Sequence, residues 1–171
     1  MAVTPTGRVV RHDSGADLVI DRRFSAPVEE MWAAVTESDR TAAWFGPWTG
    51  TGAPGHTIHV QMLFEEGEPW MDMTVEACES PTRYAVSSSD AFGSWLMEMQ
   101  LTPEPGGTRV SLIQHLDEAS VALAVDTGPG WEYYLDLLVA AHSGGPRPCF
   151  DDCLALKRHY ESEVARAVDG R

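Results

Sequence analysis

The sequence has no apolar run approaching the ~20 residues that a membrane-spanning helix needs. Its opening, MAVTPTGRVVRHDSGADL, holds no apolar core segment of the secretory kind. The expected location is therefore cytoplasmic. Cysteine is scarce. Cys78, Cys149 and Cys153 form an odd, sparse set, which argues against a disulfide scaffold and fits a reducing compartment. Positive charge is also scarce. Twelve Lys and Arg stand against 26 Asp and Glu, a formal net charge of −14. Such a surface repels phosphate backbones and anionic membranes, so neither nucleic acid nor a membrane is an expected partner. Catalytic signatures are missing: there is no G-x-S-x-G, glycine-rich phosphate loop, H-E-x-x-H or Cys-His signature. GPWTGTGAPG (Gly46–Gly55) is rich in glycine but leads into a strand rather than a helix. It is expected to be a loop and not a phosphate cradle. Repeats, low-complexity tracts and interdomain linkers are likewise missing.

What is present is an ordinary globular composition, 43% hydrophobic and 22% charged over 171 residues. That suits one domain with a real core. Ala16–Phe24 alternates, with Leu18, Ile20 and Phe24 against Asp17, Asp21 and Arg23, and predicts a first strand after a loose arm. SAPVEEMWAAVTES predicts a helix: Pro27 suits the first helical position, Glu29 and Glu30 favour the dipole, and Val28, Met31, Trp32 and Val35 share one face. SDRTAAWFGP predicts a second short helix, N-capped by Ser38 and stopped at Gly46-Pro47. Five runs with period near two follow: HTIHVQMLFEE, PWMDMTVEACE, RYAVSSS, SWLMEMQLTPE and TRVSLIQHL. Turn residues separate them, and a five-stranded antiparallel meander is the economical reading. DEASVALAVDTGPG stays unassigned. WEYYLDLLVAAHS predicts a long helix ended by Gly144-Gly145-Pro146, and CFDDCLALKRHYESEVARAV a last one. The class is α+β, a curved sheet with helices on one side.

The apolar faces carry the functional question. Met71, Met73 and Val75 share one face of their strand, and Trp95, Met97, Met99 and Leu101 one face of theirs. Asp72, Thr74, Glu98 and Gln100 point the other way. Val110, Leu112, Gln114 and Leu116 continue the apolar side, with Gln114 its odd polar member, and Trp131, Tyr134, Leu135 and Leu138 form a helical stripe. These residues make either a solid core or an incomplete one. Flexible Met and Trp walls with Gln114 and Tyr134 as polar groups would suit a small molecule. Both readings stay open on composition. His56 and His59, three apart on a strand, point to opposite faces and make a poor chelate. Cys149 and Cys153 would share a helical face, with His159 at a poor angle for a third zinc ligand. Asp151-Asp152 reads as a solvated first turn or cap, and His115 as outward-facing. Trp48 and Trp70 stand at loop edges, where an interface and a pocket rim look alike. No metal or cofactor is expected.

DRRFSAPVEEMWAAVTESDRTAAWFGP resembles the opening of the bacterial proteins named for the activator of heat-shock protein 90 ATPase, a family of the START-like (SRPBCC), helix-grip superfamily. The residues that carry the likeness are Arg22 or Arg23, Phe24, Ala26, Pro27, Met31, Trp32, Trp44, Phe45 and Gly46. GGTRVSLIQH is similar to the family's last strand, Gly130, Trp131 and Leu135 to the start of its long helix, and GGPRPCFDD to a tail seen in some members. The resemblance covers roughly Leu18 to Asp152. It implies a helix-grip fold, a curved antiparallel sheet of the seven-strand class wrapped around a long C-terminal helix, with two short helices after the first strand. It also implies that this helix is the lid of a cavity, with Trp131 anchoring its first turn and Tyr134, Leu138 and Val139 facing inward. On this reading residues 1–171 are a single domain with a core of 16–143. Residues 1–15 form an N-terminal arm, and 144–171 a helical C-terminal extension that packs outside or against a partner.

The expected function is binding of a small apolar or aromatic ligand between sheet and helix, with no assigned reaction and no catalytic residue. The expected lining is Met71, Met73, Trp95, Met97, Met99, Leu112, Gln114, Tyr134 and Leu138. The alternatives are a protein-interaction module of the chaperone-activator type and a cyclase- or hydrolase-type enzyme using the same cavity. A homodimer is left open.

Overall fold

The computed structural model describes residues 4–91 and 93–170. Residues 1–3 of the expected arm and Arg171 at the end of the extension lie outside these. The elements run β1 (Arg8–His12), β2 (Gly15–Phe24), α1 (Val28–Thr36), α2 (Ser38–Thr41), β3 (Trp48–Gly50), β4 (Thr57–Gln61), β5 (Trp70–Glu79), β6 (Arg83–Asp90), β7 (Gly93–Glu104) and β8 (Gly107–Asp117). A 3-10 turn (Val121–Leu123) then leads into α3 (Ala124–Ser143), α4 (Phe150–Leu154) and α5 (Lys157–Asp169). The strands form one antiparallel sheet in the order β1-β2-β8-β7-β6-β5-β4-β3. The class is α+β, with two short helices after β2 and the expected meander as β4 to β8. No helix among the described residues is long and apolar enough to cross a membrane.

Compact packing divides the described chain into residues 22–111 and the two chain ends, 4–21 with 112–170. In the 22–111 unit, α1 buries Met31, Ala34 and Val35. Pro27 is the N-cap of α1 rather than its first residue, with extended backbone. A helix leaves its last carbonyls without intrahelical donors, and here two indoles supply them. Trp44 Nε1 donates to the Ala34 carbonyl (2.9 Å) and Trp48 Nε1 to that of Thr36 (3.0 Å). Ser38 does not cap α2. Its hydroxyl is held by Trp48, accepting from the backbone N–H and donating to the carbonyl, both at 2.8 Å, while Glu37 occupies the cap position. That clamp makes Trp48–Gly50 strand β3, paired with β4, where the glycine-rich stretch reads as loop. The buried Thr108 hydroxyl donates to the Ala26 carbonyl (2.8 Å), tying the start of β8 to the turn before α1.

In the unit of the chain ends, the arm expected to be loose is strand β1, paired with β2 through a two-residue turn, His12 opposite Gly15. Its two valines are adjacent and fall on opposite faces, so no alternation announces it. α3 begins at Ala124 and runs straight through Gly128-Pro129-Gly130, which reads as a turn. The reason is packing. Gly128 is buried against Tyr160, where a Cβ would lie 2.6 Å from three ring atoms. Gly128 also relieves the clash that a proline imposes on a helical residue before it. Trp131 therefore sits beyond the first turn of the helix. α3 does end as expected, at Gly144 in the left-handed conformation (φ 70°). The extension forms two helices rather than one, and α5 packs on both α3 and β1 instead of lying outside.

Candidate functional site

Register decides which of the expected lining residues share a face. β4 places Ile58 opposite Met73 and Val60 opposite Met71. β5 and β6 pair Val75 with Val86, while β6 and β7 pair Val86 with Met97, Tyr84 with Met99 and Ser88 with Trp95. Met71, Met73, Trp95, Met97 and Met99 thus lie on one face of the sheet of residues 22–111. Met73, Met97 and Met99 are buried, whereas Met71 and Trp95 keep part of their surface open. A bulge at Glu76 shifts the β5 register between Val75 and Ala77. Beyond it Cys78 faces Tyr84 and Ala77 faces Ala85, so the alternation of β5 inverts there. Met71 and Met73 precede the inversion. Trp95 Nε1 donates to Asp90 (2.9 Å), which fixes the indole at the end of the β6–β7 hairpin. Burial pushes the Tyr84 hydroxyl up to about 12, with a smaller contribution from nearby Cys78. Trp32 of α1 meets the Tyr84 ring edge-on at 6.3 Å.

In the unit of the chain ends, Leu112, Gln114, Tyr134 and Leu138 are all buried. Gln114 Oε1 accepts from Thr127 Oγ1 (2.7 Å) and Trp131 Nε1 (3.1 Å), and the Trp131 ring lies 5.7 Å from that of Tyr134. The odd polar residue of β8 is thus the acceptor that fastens α3. Both lone pairs of that oxygen are used.

Three buried acids, Glu98, Glu132 and Glu163, escaped the sequence reading. Glu98 points away from the methionine face, as alternation requires, yet is 5% exposed. Arg83 grips both of its oxygens (2.9 and 3.3 Å), Gln100 donates to it (2.7 Å), and Arg83 also bonds Glu79. These bonds, that to Glu98 first, hold Arg83 more firmly protonated than usual. The signal was the diagonal Arg83–Glu98 cross-strand relation. Glu132, on α3, is 0% exposed. It accepts from the Thr6 and Gly7 N–H groups (2.8 and 3.0 Å), the Thr6 hydroxyl (3.2 Å) and the Tyr160 hydroxyl (2.5 Å). No local pattern announces that cluster, since its members come from three distant segments. Glu163, on α5, accepts from the Val9 N–H (3.1 Å).

The remaining candidates are placed as follows. His59 pairs across strands with Asp72, both well exposed. Cys149 is the exposed N-cap of α4 and Cys153 is buried, and Asp151 and Asp152 occupy the first turn of α4. Among the described residues no group of three or more His, Cys, Asp or Glu is arranged to hold a metal ion. His115 Nδ1 lies 2.8 Å from Asp17, and His12 Nε2 3.5 Å from the same oxygen. Ser14 contacts His12 Nδ1 at 3.1 Å, but it is exposed in the hairpin turn, so this chain of contacts reads as turn chemistry. Trp70 is 57% exposed, whereas Trp48 is fastened as described.

The structure is similar to that of CalU16 from Micromonospora echinospora (TM-score 0.77, 24% identity, covering 92% of this chain and 96% of that one). It is similar also to the protein of gene BPP1335 from Bordetella parapertussis (TM-score 0.69, 22% identity, 94% and 93%). A third likeness is to DynU16, a protein in the dynemicin biosynthetic locus (TM-score 0.66, 21% identity, 78% of this chain and 50% of that one). At these identities the likeness is one of fold. No curated protein matches the sequence. Residues 25–143, more than half of the chain, match the model of the Activator of Hsp90 ATPase homolog 1-like proteins, and this chain, with its helix-grip class of fold, belongs to that family.

Proposed function

We propose that this protein binds a small apolar or aromatic molecule, and that the ligand lies on the methionine and tryptophan face of β5–β7. The observation that carries the reading is the register that puts Met71, Met73, Trp95, Met97 and Met99 on one face, with Met71 and Trp95 half open at one end. Methionine adapts to ligand shape, and an indole adds a large flat contact. Membership of a family with a helix-grip fold supports the same reading. Leu112, Tyr134 and Leu138 are buried and Gln114 has its acceptor engaged, so the proposal rests on the five strand residues.

The test is thermal unfolding against a panel of apolar and aromatic compounds, with dynemicin included because DynU16 comes from its locus. A true ligand raises Tm with the logarithm of its excess over Kd. Trp95→Ala and Met71→Ala should abolish that rise; because both side chains are partly buried and Trp95 is bonded to Asp90, each variant is compared with its own unliganded Tm, which is expected to be lower. A panel that moves Tm nowhere, together with native mass spectra showing no adduct from host extract, would sink the reading.

A further inference from the structure

β6 lies between β5 and β7, away from either edge of the sheet. Alternation puts its Tyr84, Val86 and Ser88 on the methionine face, through the pairs Tyr84–Met99, Val86–Met97 and Ser88–Trp95. Val86 is flanked by Val75 (0% exposed) and Met97 (9%), yet keeps part of its own surface open. A close-packed core does not leave the middle of a sheet uncovered. Tyr84 and Trp32, whose rings meet edge-on, are half-buried as well. The open part of the face therefore runs along β6, from Tyr84 towards Trp95. Two hydroxyls stand on that strip. Ser88 is 8% exposed, and its hydroxyl has no hydrogen-bond partner among the described residues. Neither has that of Tyr84, which is shifted by burial and by Cys78 and not by any hydrogen bond. Buried polar groups are normally paired, and leaving one unpaired is costly. Charge is scarce on the strip. By register His59, Asp72, Glu79, Arg83 and Glu98 belong to the opposite face. Asp90 shares the methionine face, at the hairpin end, where it takes the Trp95 indole N–H.

We propose that the ligand is an uncharged aromatic ketone whose carbonyl oxygen accepts from the Tyr84 hydroxyl and whose second oxygen, across a body of fused rings, pairs with Ser88. This rests on the apolar-ligand reading and adds the ligand's polar chemistry. Burial keeps the phenol protonated, so at neutral pH it donates and calls for an acceptor. An anion would find no cation on this strip to offset its desolvation. Four residues along a strand separate the Cα atoms of Tyr84 and Ser88 by about 13 Å, too far for one ligand oxygen to serve both.

The test measures affinity of the full chain by equilibrium dialysis for matched pairs: fluorenone with fluorene, xanthone with xanthene, and benzophenone with diphenylmethane. At least one ketone is expected to bind about three- to tenfold more tightly than its hydrocarbon, the usual worth of a hydrogen bond. Tyr84→Phe should bring that ratio close to one. The ketone's carbonyl stretching band should move to lower frequency on binding the wild type but not on binding Tyr84→Phe, a change that a merely structural role for the ring would not produce. Ser88→Ala should erase the added affinity of hydroxyfluorenone over fluorenone. Pairs that bind the wild type equally overturn the ketone assignment and leave the apolar-ligand reading in place, as does a ketone preference that survives Tyr84→Phe. An added affinity that is absent, or that survives Ser88→Ala, overturns the second contact. If no member of any pair binds, both readings fall.

Discussion

Gly128 and Gly130 flank one proline in the same helix, yet alanine should act on them in opposite directions. Alanine in a helix interior is favoured over glycine by roughly 1 kcal/mol. At Gly130 a Cβ meets nothing within 4 Å, so Gly130→Ala should keep most of that gain, about 0.5–1 kcal/mol. For a chain of this length that is a rise in Tm of roughly 1–4 °C. At Gly128 the new Cβ would stand 2.6 Å from three atoms of the Tyr160 ring. The ring is fully buried and its hydroxyl is bonded to Glu132, so it cannot swing aside. Overpacking of this kind costs about 1–3 kcal/mol, enough to cancel or outweigh the helical gain. Gly128→Ala should therefore leave stability unchanged or lower it by up to about 2 kcal/mol. Urea unfolding of both variants measures the difference. The cycle with Tyr160→Ala isolates its cause: once the ring is gone, Gly128→Ala should cost less than it does with the ring in place, while remaining less favourable than Gly130→Ala because Pro129 still crowds a Cβ on the residue before it. Equal stabilisation by both single variants, with Tyr160 in place, would refute the packing argument and make the Gly-Pro-Gly run simple chain punctuation.

Gln114→Leu keeps the size of a buried side chain but strands the Trp131 and Thr127 donors, and should lower the urea-unfolding free energy by about 1–3 kcal/mol. Trp131→Phe in that background removes one stranded donor and should recover part of the loss. Tyr84 supplies a pH test. Its folded value is raised to about 12, against roughly 10 for an unfolded chain. Its contribution is therefore complete below pH 10 and is lost as pH climbs through 12, because the unfolded state releases the proton first. Absorbance titration should show a tyrosine ionising near 12, and Tyr84→Phe should flatten the fall of stability in that window. An unchanged slope in the variant would refute the assignment.

Much of this architecture was legible because a period of two or of 3.6 is a local property. The five runs from His56 to Leu116 became β4 to β8, the Val28–Val35 stripe became α1, and Gly144 ended the long helix. Strand phase also put Met71, Met73, Trp95, Met97 and Met99 on one face, since the bulge at Glu76 comes only after Met73. β1 was not legible, because nothing within RVVRH alternates and its place depends on β2 and on α5. Neither was the true start of α3. Gly128-Pro129-Gly130 is turn chemistry by every local rule, and the ring of a residue far along the chain selects the helix. Glu132 and Glu98 belong with these. An acid beside apolar neighbours reads as solvated until main-chain donors or an arginine arrive from elsewhere.

The sequence alone settled the class of fold, the family likeness, the order of most elements and the faces of the strands, all of which follow from short-range periodicity and motif spacing. The tertiary structure decided that the chain's two ends lock together through Glu132, Tyr160 and Glu163, that Gln114 serves as an anchor for α3, and that a glycine serves close packing rather than a turn. Those outcomes depend on which distant side chains come within hydrogen-bonding or van der Waals reach, and such distances are set only when the chain has folded.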